Sequence, residues 1–253
     1  MNECLCSFGS EWLKKKRTAS SFLIIAGSLL IPLIIIIART DSAAGLGAAN
    51  LQPHIWENLY NRNWQIMGTL LLPMGIVLAT SLVTQLEYRN NTWKQLFTTP
   101  QSLTTIFVAK LSVILVMLVE FFLLFNVGIW LTGVIPGLLI GVPYPPETFP
   151  WKAFWNSNTK FFLDSLPILA LQYGISLRIR NFLVPLGVGL GLYVASMIAV
   201  HWKYGYVIPY TYCDYEFMGV TAGKVHTHSW AAGYAVLFIG LAYLFYITRK
   251  DKA

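Results

Sequence analysis

The chain has 253 residues, of which 56% are hydrophobic and only 11% are charged, and its formal net charge is +7. Ordinary soluble domains carry about 25% charged residues. This composition therefore excludes a soluble globular protein and indicates a chain that has the membrane as its solvent. The basic residues lie in short clusters beside apolar runs, which is typical of charges that set membrane orientation and not of a nucleic-acid-binding surface.

The first predicted element is an amphipathic helix over about residues 3–17. Leu5, Phe8 and Trp12 share one face of this helix with Leu13, whereas polar residues such as Glu11 occupy the rest of its circumference. This pattern is typical of a helix that lies flat on the inner leaflet of a membrane.

Six apolar stretches follow, each close to the roughly 20 residues that a helix needs to cross a bilayer. They predict an all-α integral membrane protein, with one domain over residues 1–253 and spans over residues 18–38, 64–86, 106–132, 154–177, 182–200 and 230–247. The fourth is the least regular because it carries Asp164 and Pro167. The first run exceeds the apolar region of a signal peptide, which has about 7–15 residues, so we expect it to remain uncleaved.

The basic residues predict the orientation of the spans. With both termini in the cytoplasm, 12 of the 18 Lys and Arg residues lie inside and the other six lie outside, as expected for the cytoplasmic excess of positive charge. The segment around residues 87–105 is then cytoplasmic. The outer segment 201–217 is rich in aromatic residues, and two interpretations remain for it: an interfacial aromatic belt, or a re-entrant segment that closes the outer mouth of a pathway.

The cytoplasmic stretch EYRNNTWKQLFTTPQSLTTIFVAKL, residues 87–111, is polar although apolar runs flank it. Asn91 or Thr92 can cap a short helix, and Pro100 ends it. Its apolar residues at i, i+3 and i+4 are Trp93, Leu96 and Phe97. A helix of about two turns is marginal alone, so we expect its apolar face to dock on the bilayer surface or in a groove of another protein.

This stretch resembles the cytoplasmic loop of ABC-2 type permeases, in which an acidic residue precedes a short helix, a Leu-x-x-x-Pro pattern and the third span. In that family the segment is the coupling helix, which sits in a cleft of the ATP-hydrolysing subunit. The resemblance implies that the residues making this contact here are Glu87, Thr92, Trp93, Leu96, Phe97 and Pro100. It also implies that the amphipathic segment over residues 3–17 is the elbow helix that precedes the first span in these permeases.

Residues 8–112 further resemble the small permease subunits of lantibiotic-immunity transporters, over SEWLKKKRTASSFLIIAGSLLIPLIIIIA and NRNWQIMGTLLLPMGIVLATSLVTQLEYRN. The resemblance implies a bacterial plasma-membrane exporter of amphipathic antimicrobial peptides, built from two permeases and two ABC ATPase subunits. In such systems the second permease is commonly a different chain, and a homodimer is the alternative. The alternative substrates within the family are drugs, lipids or polysaccharides.

The chain contains no GxxxxGK[ST] loop, so ATP and Mg²⁺ are expected on a separate ATPase subunit and no cofactor is expected here. His226 and His228 have no third ligand at a recognisable spacing, which argues against a metal site. An intramembrane enzyme is the remaining alternative. It would need convergent polar residues at one membrane depth, and Glu120 has no evident histidine partner within the spans.

Glu120 lies near the middle of the third predicted span. An ionised carboxylate at this depth costs about 2–3 kcal/mol on insertion scales. We therefore expect Glu120 to face a neighbouring helix or subunit and to be hydrogen-bonded, with its carboxyl protonated. A direct role in the substrate pathway is the alternative.

Overall fold

A computed structural model describes residues 3–16, 18–89, 101–218 and 227–248. Every secondary-structure element in these residues is a helix. This confirms the all-α class. The described residues also contain a π-helical segment, Met67–Leu71, and two 3₁₀ turns, Gly205–Val207 and Pro209–Thr211. The α-helices are α1 (Glu3–Lys15), α2 (Ala19–Asp41), α3 (Ala43–Asn50), α4 (Ile55–Ile66), α5 (Leu72–Arg89), α6 (Leu103–Ile140), α7 (Trp151–Arg178), α8 (Leu183–Ala199), α9 (Tyr212–Met218) and α10 (Thr227–Ile247).

Four helical stretches among the described residues are long and apolar enough to cross a membrane: Ala19–Asp41, Ile55–Leu86, Leu103–Ile140 and Thr227–Ile247. The α8 helix is also apolar but has only 17 residues. The α7 helix has 28 residues and includes the polar Asp164 near its middle. The fold is thus that of a membrane-embedded helical chain, and the count of six spans stays a prediction.

The second long helix begins earlier than its apolar run indicates. The sequence predicts a span from residue 64, but the helix starts at Ile55. Trp56, Tyr60 and Trp64 recur every four residues along α4, and all three are buried. Polar residues on the opposite face lower the mean hydropathy of this segment, so its helical start is visible only in the periodicity of the aromatic residues.

The third long helix also exceeds its predicted limits of 106 and 132. It runs from Leu103 to Ile140 and ends at Gly141, whose φ of 76° is left-handed. Glycine adopts this conformation without steric cost and is a common residue after the last helical turn.

The α2 and α6 helices run parallel and pack closely. A Cβ atom added at Gly128 of α6 would lie 2.6 Å from Cγ of Pro32 of α2, and one at Gly27 would touch Phe121. Small residues at such positions allow membrane helices to approach each other and to gain dispersion energy. The α1 helix packs against the same α6 helix. We call α1, α2 and α6 the first group.

A second group consists of α5, α7, α8 and α10. Within it, α7 packs most extensively against α10 and also along α5, while α8 packs on α5. Its interior is polar: Gln172 of α7 donates hydrogen bonds to Ser81 of α5 and to the carbonyl oxygen of Pro185 in α8, at 3.0 and 2.8 Å. These bonds satisfy buried polar groups for which the bilayer offers no water.

We predict that Gly128→Ala destabilises the chain by about 1–3 kcal/mol, because the new methyl group overlaps Pro32 and must force α2 and α6 apart. Gly233→Ala in α10 is the matched control, since a Cβ there meets no atom within 4 Å. Thermal unfolding of the detergent-solubilised protein measures both. Equal melting temperatures for the two variants would contradict this packing.

Candidate functional site

An apolar cavity of about 420 Å³ lies between the two groups of helices. Five helices contribute to its wall, with Gly27 of α2, Gly75 of α5, Met117 of α6, Leu169 of α7 and Leu190 of α8 among the lining residues. The cavity is of the size that holds a small ligand or a hydrocarbon chain.

The chemistry of the lining restricts what the cavity can bind. Thr80 is its polar lining residue, and its hydroxyl donates a hydrogen bond of 2.6 Å to the carbonyl oxygen of Ile76. The remaining lining is aliphatic or aromatic, apart from glycine. Leu30, which also lines the cavity, is exposed on the outside of the bundle, so the cavity opens sideways. The site offers an apolar surface to a hydrocarbon group and no side chain suited to acid–base or nucleophilic chemistry.

Charged residues also join α1 to α6. Lys15 of α1 donates a hydrogen bond of 2.6 Å to Oε2 of Glu120, and Lys110 of α6 donates one of 3.1 Å to Oε2 of Glu11. Lys14 also contacts Glu11, at 2.5 Å. Glu11, Lys15 and Lys110 are buried, whereas the side chain of Glu120 is 36% exposed. Glu120 therefore has Lys15 of a neighbouring helix as its hydrogen-bond partner.

The buried face of α1 is its charged face. Leu5 and Leu13 are 65% and 68% exposed, although their apolar character predicts contact with an apolar phase. Phe8 and Trp12 pack at the edge of the core, and the Lys15 ammonium lies 4.0 Å from the centre of the Trp12 ring. The leucines are thus free to enter the lipid, while the charges are neutralised against α6.

Electrostatics hold this contact together. Burial by itself would raise the pKa of Glu11, but the positive charges of Lys110 and Lys14 outweigh it and hold that pKa below its usual value. Removing one partner of a buried ion pair typically costs about 3–5 kcal/mol, because the other charge remains without water. The Glu11–Lys110 pair is such a case, with side chains 8% and 2% exposed.

The segment 201–218, which the sequence predicts to lie on the outer side, has exposed aromatic residues in its first half and buried ones in its second. Trp202 and Tyr204 are exposed, as in an interfacial aromatic belt. Tyr210, Tyr212 and Cys213 are buried, and the turn before α9 packs against α7 and α8. The second half of the segment thus folds inward over the ends of the second group.

Two carboxyl groups are buried in and next to this segment. Asp164 of α7 is fully buried, and its Oδ1 lies 2.9 Å from Nδ1 of His228 at the start of α10. Asp214 of α9 is 4% exposed, and burial raises its pKa to about 7. The sequence gives no sign of the Asp164–His228 contact, because 64 residues separate the two side chains. Among the described residues, no three His, Cys, Asp or Glu side chains cluster as metal ligands, and His226 lies outside them.

The predicted ATPase-contact residues fall on the connection between the two groups. Thr92, Trp93, Leu96, Phe97 and Pro100 lie outside the described residues. Glu87 belongs to the last turn of α5, and only its backbone is described. The connection itself runs from α5 in the second group to α6 in the first.

We predict that the stability of the outer segment falls as the pH rises from about 4 to 7. The folded chain keeps the Asp214 proton up to a pKa of about 7, whereas the unfolded chain loses it near 3.8, so folding is most favoured at the acid end, with a slope of up to about 1.4 kcal/mol per pH unit. Asp214→Asn should flatten this dependence and raise the melting temperature above pH 7. The exposed Asp41→Asn is the control, and the same pH profile in both variants would disprove the assignment.

Comparison with known proteins identifies the family. A family model described as an ABC-2 family transporter protein matches residues 7–196, which is well over half of the 253 residues. The match begins in α1, includes the helices that line the cavity and ends within α8. No curated protein and no solved structure matches the chain. The chain belongs to the ABC-2 family of transporter proteins.

Proposed function

We propose that this chain is the permease subunit of an ATP-driven exporter, and that it crosses the membrane six times with both termini in the cytoplasm. The directions of the helices support six crossings. The α2 and α6 helices run parallel, and α7 runs antiparallel to α6, as the contacts Tyr173–Phe107 and Asn158–Asn126 require. The α8 helix opposes α5 and α10 parallels α7, so successive long helices alternate in direction.

ATP hydrolysis in this proposal takes place on a separate subunit, because the sequence has no phosphate-binding loop. The ATPase, with its Mg²⁺, docks at residues 87–100, and α1 serves as the elbow helix. A push on this connection would act on both groups of helices, since it joins α5 to α6. Movement of one group against the other is a common way to alternate access across a membrane.

The single observation that carries the substrate proposal is the apolar cavity that opens sideways between the groups. A substrate that enters from the bilayer must bring an apolar part to such a wall, as an amphipathic antimicrobial peptide does. The lantibiotic-like resemblance of residues 8–112 points to the same substrate class, and a second, different permease would complete the pathway. A lipid or a lipid-like drug is the second candidate, because the predominantly apolar lining also suits an acyl chain.

We predict that Leu96→Asp with Phe97→Asp abolishes co-purification of the ATPase subunit, because two carboxylates cannot enter an apolar cleft without losing their hydration. Membrane insertion should be unchanged, since the substitutions lie outside the spans. The control is Lys94→Gln, on the same short segment but off its apolar face. Recovery of the ATPase at the wild-type yield with the double variant would contradict docking at this segment.

We predict that Gly75→Phe blocks transport while leaving the chain folded. A Cβ at Gly75 meets no atom within 4 Å, so the ring can project into the cavity without overlap. Gly233→Phe is the matched control, since its Cβ is equally unhindered on the exposed side of α10. In cells challenged with a panel of amphipathic peptides, the first variant should lose resistance and the second should keep it. Resistance retained at equal membrane abundance would exclude the cavity from the pathway.

A further inference from the structure

The two groups of helices touch each other less than the helices within each group do. Contacts that join the groups concentrate in two places. One is Phe107 of α6, whose ring meets Tyr173 and Tyr243 of the second group. The other is Trp64 of α4, which stacks on Phe161 of α7 and meets Phe125 of α6 edge-on. The cavity occupies the space between these two clusters. The surface between the groups, which we call the seam, is therefore the place where the least packing opposes relative movement.

The position of α1 relative to this seam depends on its charges. A chain turn of three residues joins α1 to α2, and Leu5 and Leu13 on its outer face are exposed. Two ionic contacts, Glu11–Lys110 and Lys15–Glu120, fasten α1 to α6 in addition to the packing of Phe8 and Trp12 on the core. Their partners on α6, Lys110 and Glu120, are ten residues apart. The two contacts together therefore fix the direction of α1 as well as its position.

We infer that Glu11 and Lys15 are positioning residues, which lock α1 onto α6 so that α1, α2 and α6 move as one body against the second group. Lys110 lies two turns after Leu103, the first residue of α6, so the lock acts close to the connection that receives the ATPase. The contact between α1 and α6 can be tested whether or not the chain transports a substrate. The claim that ATP moves this body rests on the proposed function.

Distances between spin labels test the lock in the purified full-length chain in lipid nanodiscs, without ATPase or substrate. Cys6 on α1 is exposed and serves as one label site, in a background with Cys4→Ser and Cys213→Ser. The second site is Leu139→Cys on α6 for a distance within the body, or Val236→Cys on α10 for a distance across the seam; both residues are exposed. We expect one narrow distance for the Cys6–Leu139 pair.

Neutralising both lock residues, Glu11→Gln with Lys15→Gln, should replace that narrow distance by a broad distribution, because α1 then pivots about its turn. Lys16→Gln, which removes an exposed charge next to α1 without touching either ion pair, is the control and should leave the distance narrow. The exchange Lys15→Glu with Glu120→Lys should also retain the narrow distance, since it restores the ion pair in reverse. A narrow distribution in the neutral variant would overturn the lock.

The exchanged variant also decides the case in which the neutral variant fails to accumulate in membranes. If the exchanged variant accumulates and keeps the narrow Cys6–Leu139 distance, the lock is supported, because an ion pair forms equally well with its two charges exchanged. If the exchanged variant neither accumulates nor keeps that distance, the lock is overturned.

Adding the ATPase and ATP separates the lock from the proposed function. If ATP shifts the Cys6–Val236 distance and leaves the Cys6–Leu139 distance unchanged, the locked body moves as inferred. If ATP changes the Cys6–Leu139 distance, α1 does not move with α6 and the inference fails. If ATP changes neither distance, the proposed ATP-driven movement is contradicted. The lock is then still tested by whether the Cys6–Leu139 distance broadens in the neutral variant.

Discussion

The close approach of α2 and α6 is the constraint on which the rest of this structure depends. Gly128 has no side chain, so Pro32 can lie against the backbone of α6. That approach holds the start of α2, and with it the turn to α1, beside the first half of α6. The charged face of α1 can then meet Lys110 and Glu120 at hydrogen-bond distance. A wider separation would leave these charges in hydrocarbon without partners, a state that the bilayer penalises strongly.

Polar residues inside the bundle organise the second group in a similar way. Gln172 joins α7 to both α5 and α8, and the hydroxyl of Tyr173 donates a hydrogen bond to the carbonyl oxygen of Phe107 in α6. Without water to compete, each of these groups needs an internal partner, and this requirement selects one arrangement of helices. The wall of the cavity between the groups is apolar apart from Thr80, whose hydroxyl is paired within its own helix, so it imposes no such pairing between helices.

This division suits a transporter. The helices within each group share more contacts than the two groups share with each other, so each group can move as a unit, although the hydrogen bonds Tyr173–Phe107 and Asn158–Asn126 cross the seam. The connection between α5 and α6 spans the seam. In the proposed function, force applied there would thus reach both groups.

The sequence by itself determined the helical class, the positions of most long helices and the family resemblance, because apolar run length and helical period are local properties of a chain. It also marked Glu120 as a residue in need of a partner. Only the tertiary structure decided that the partner is Lys15, 105 residues away, and that the cavity lies between α2 and α5. Periodicity reveals which face of a helix must be covered. Which helix covers that face is decided by packing among residues far apart in the chain.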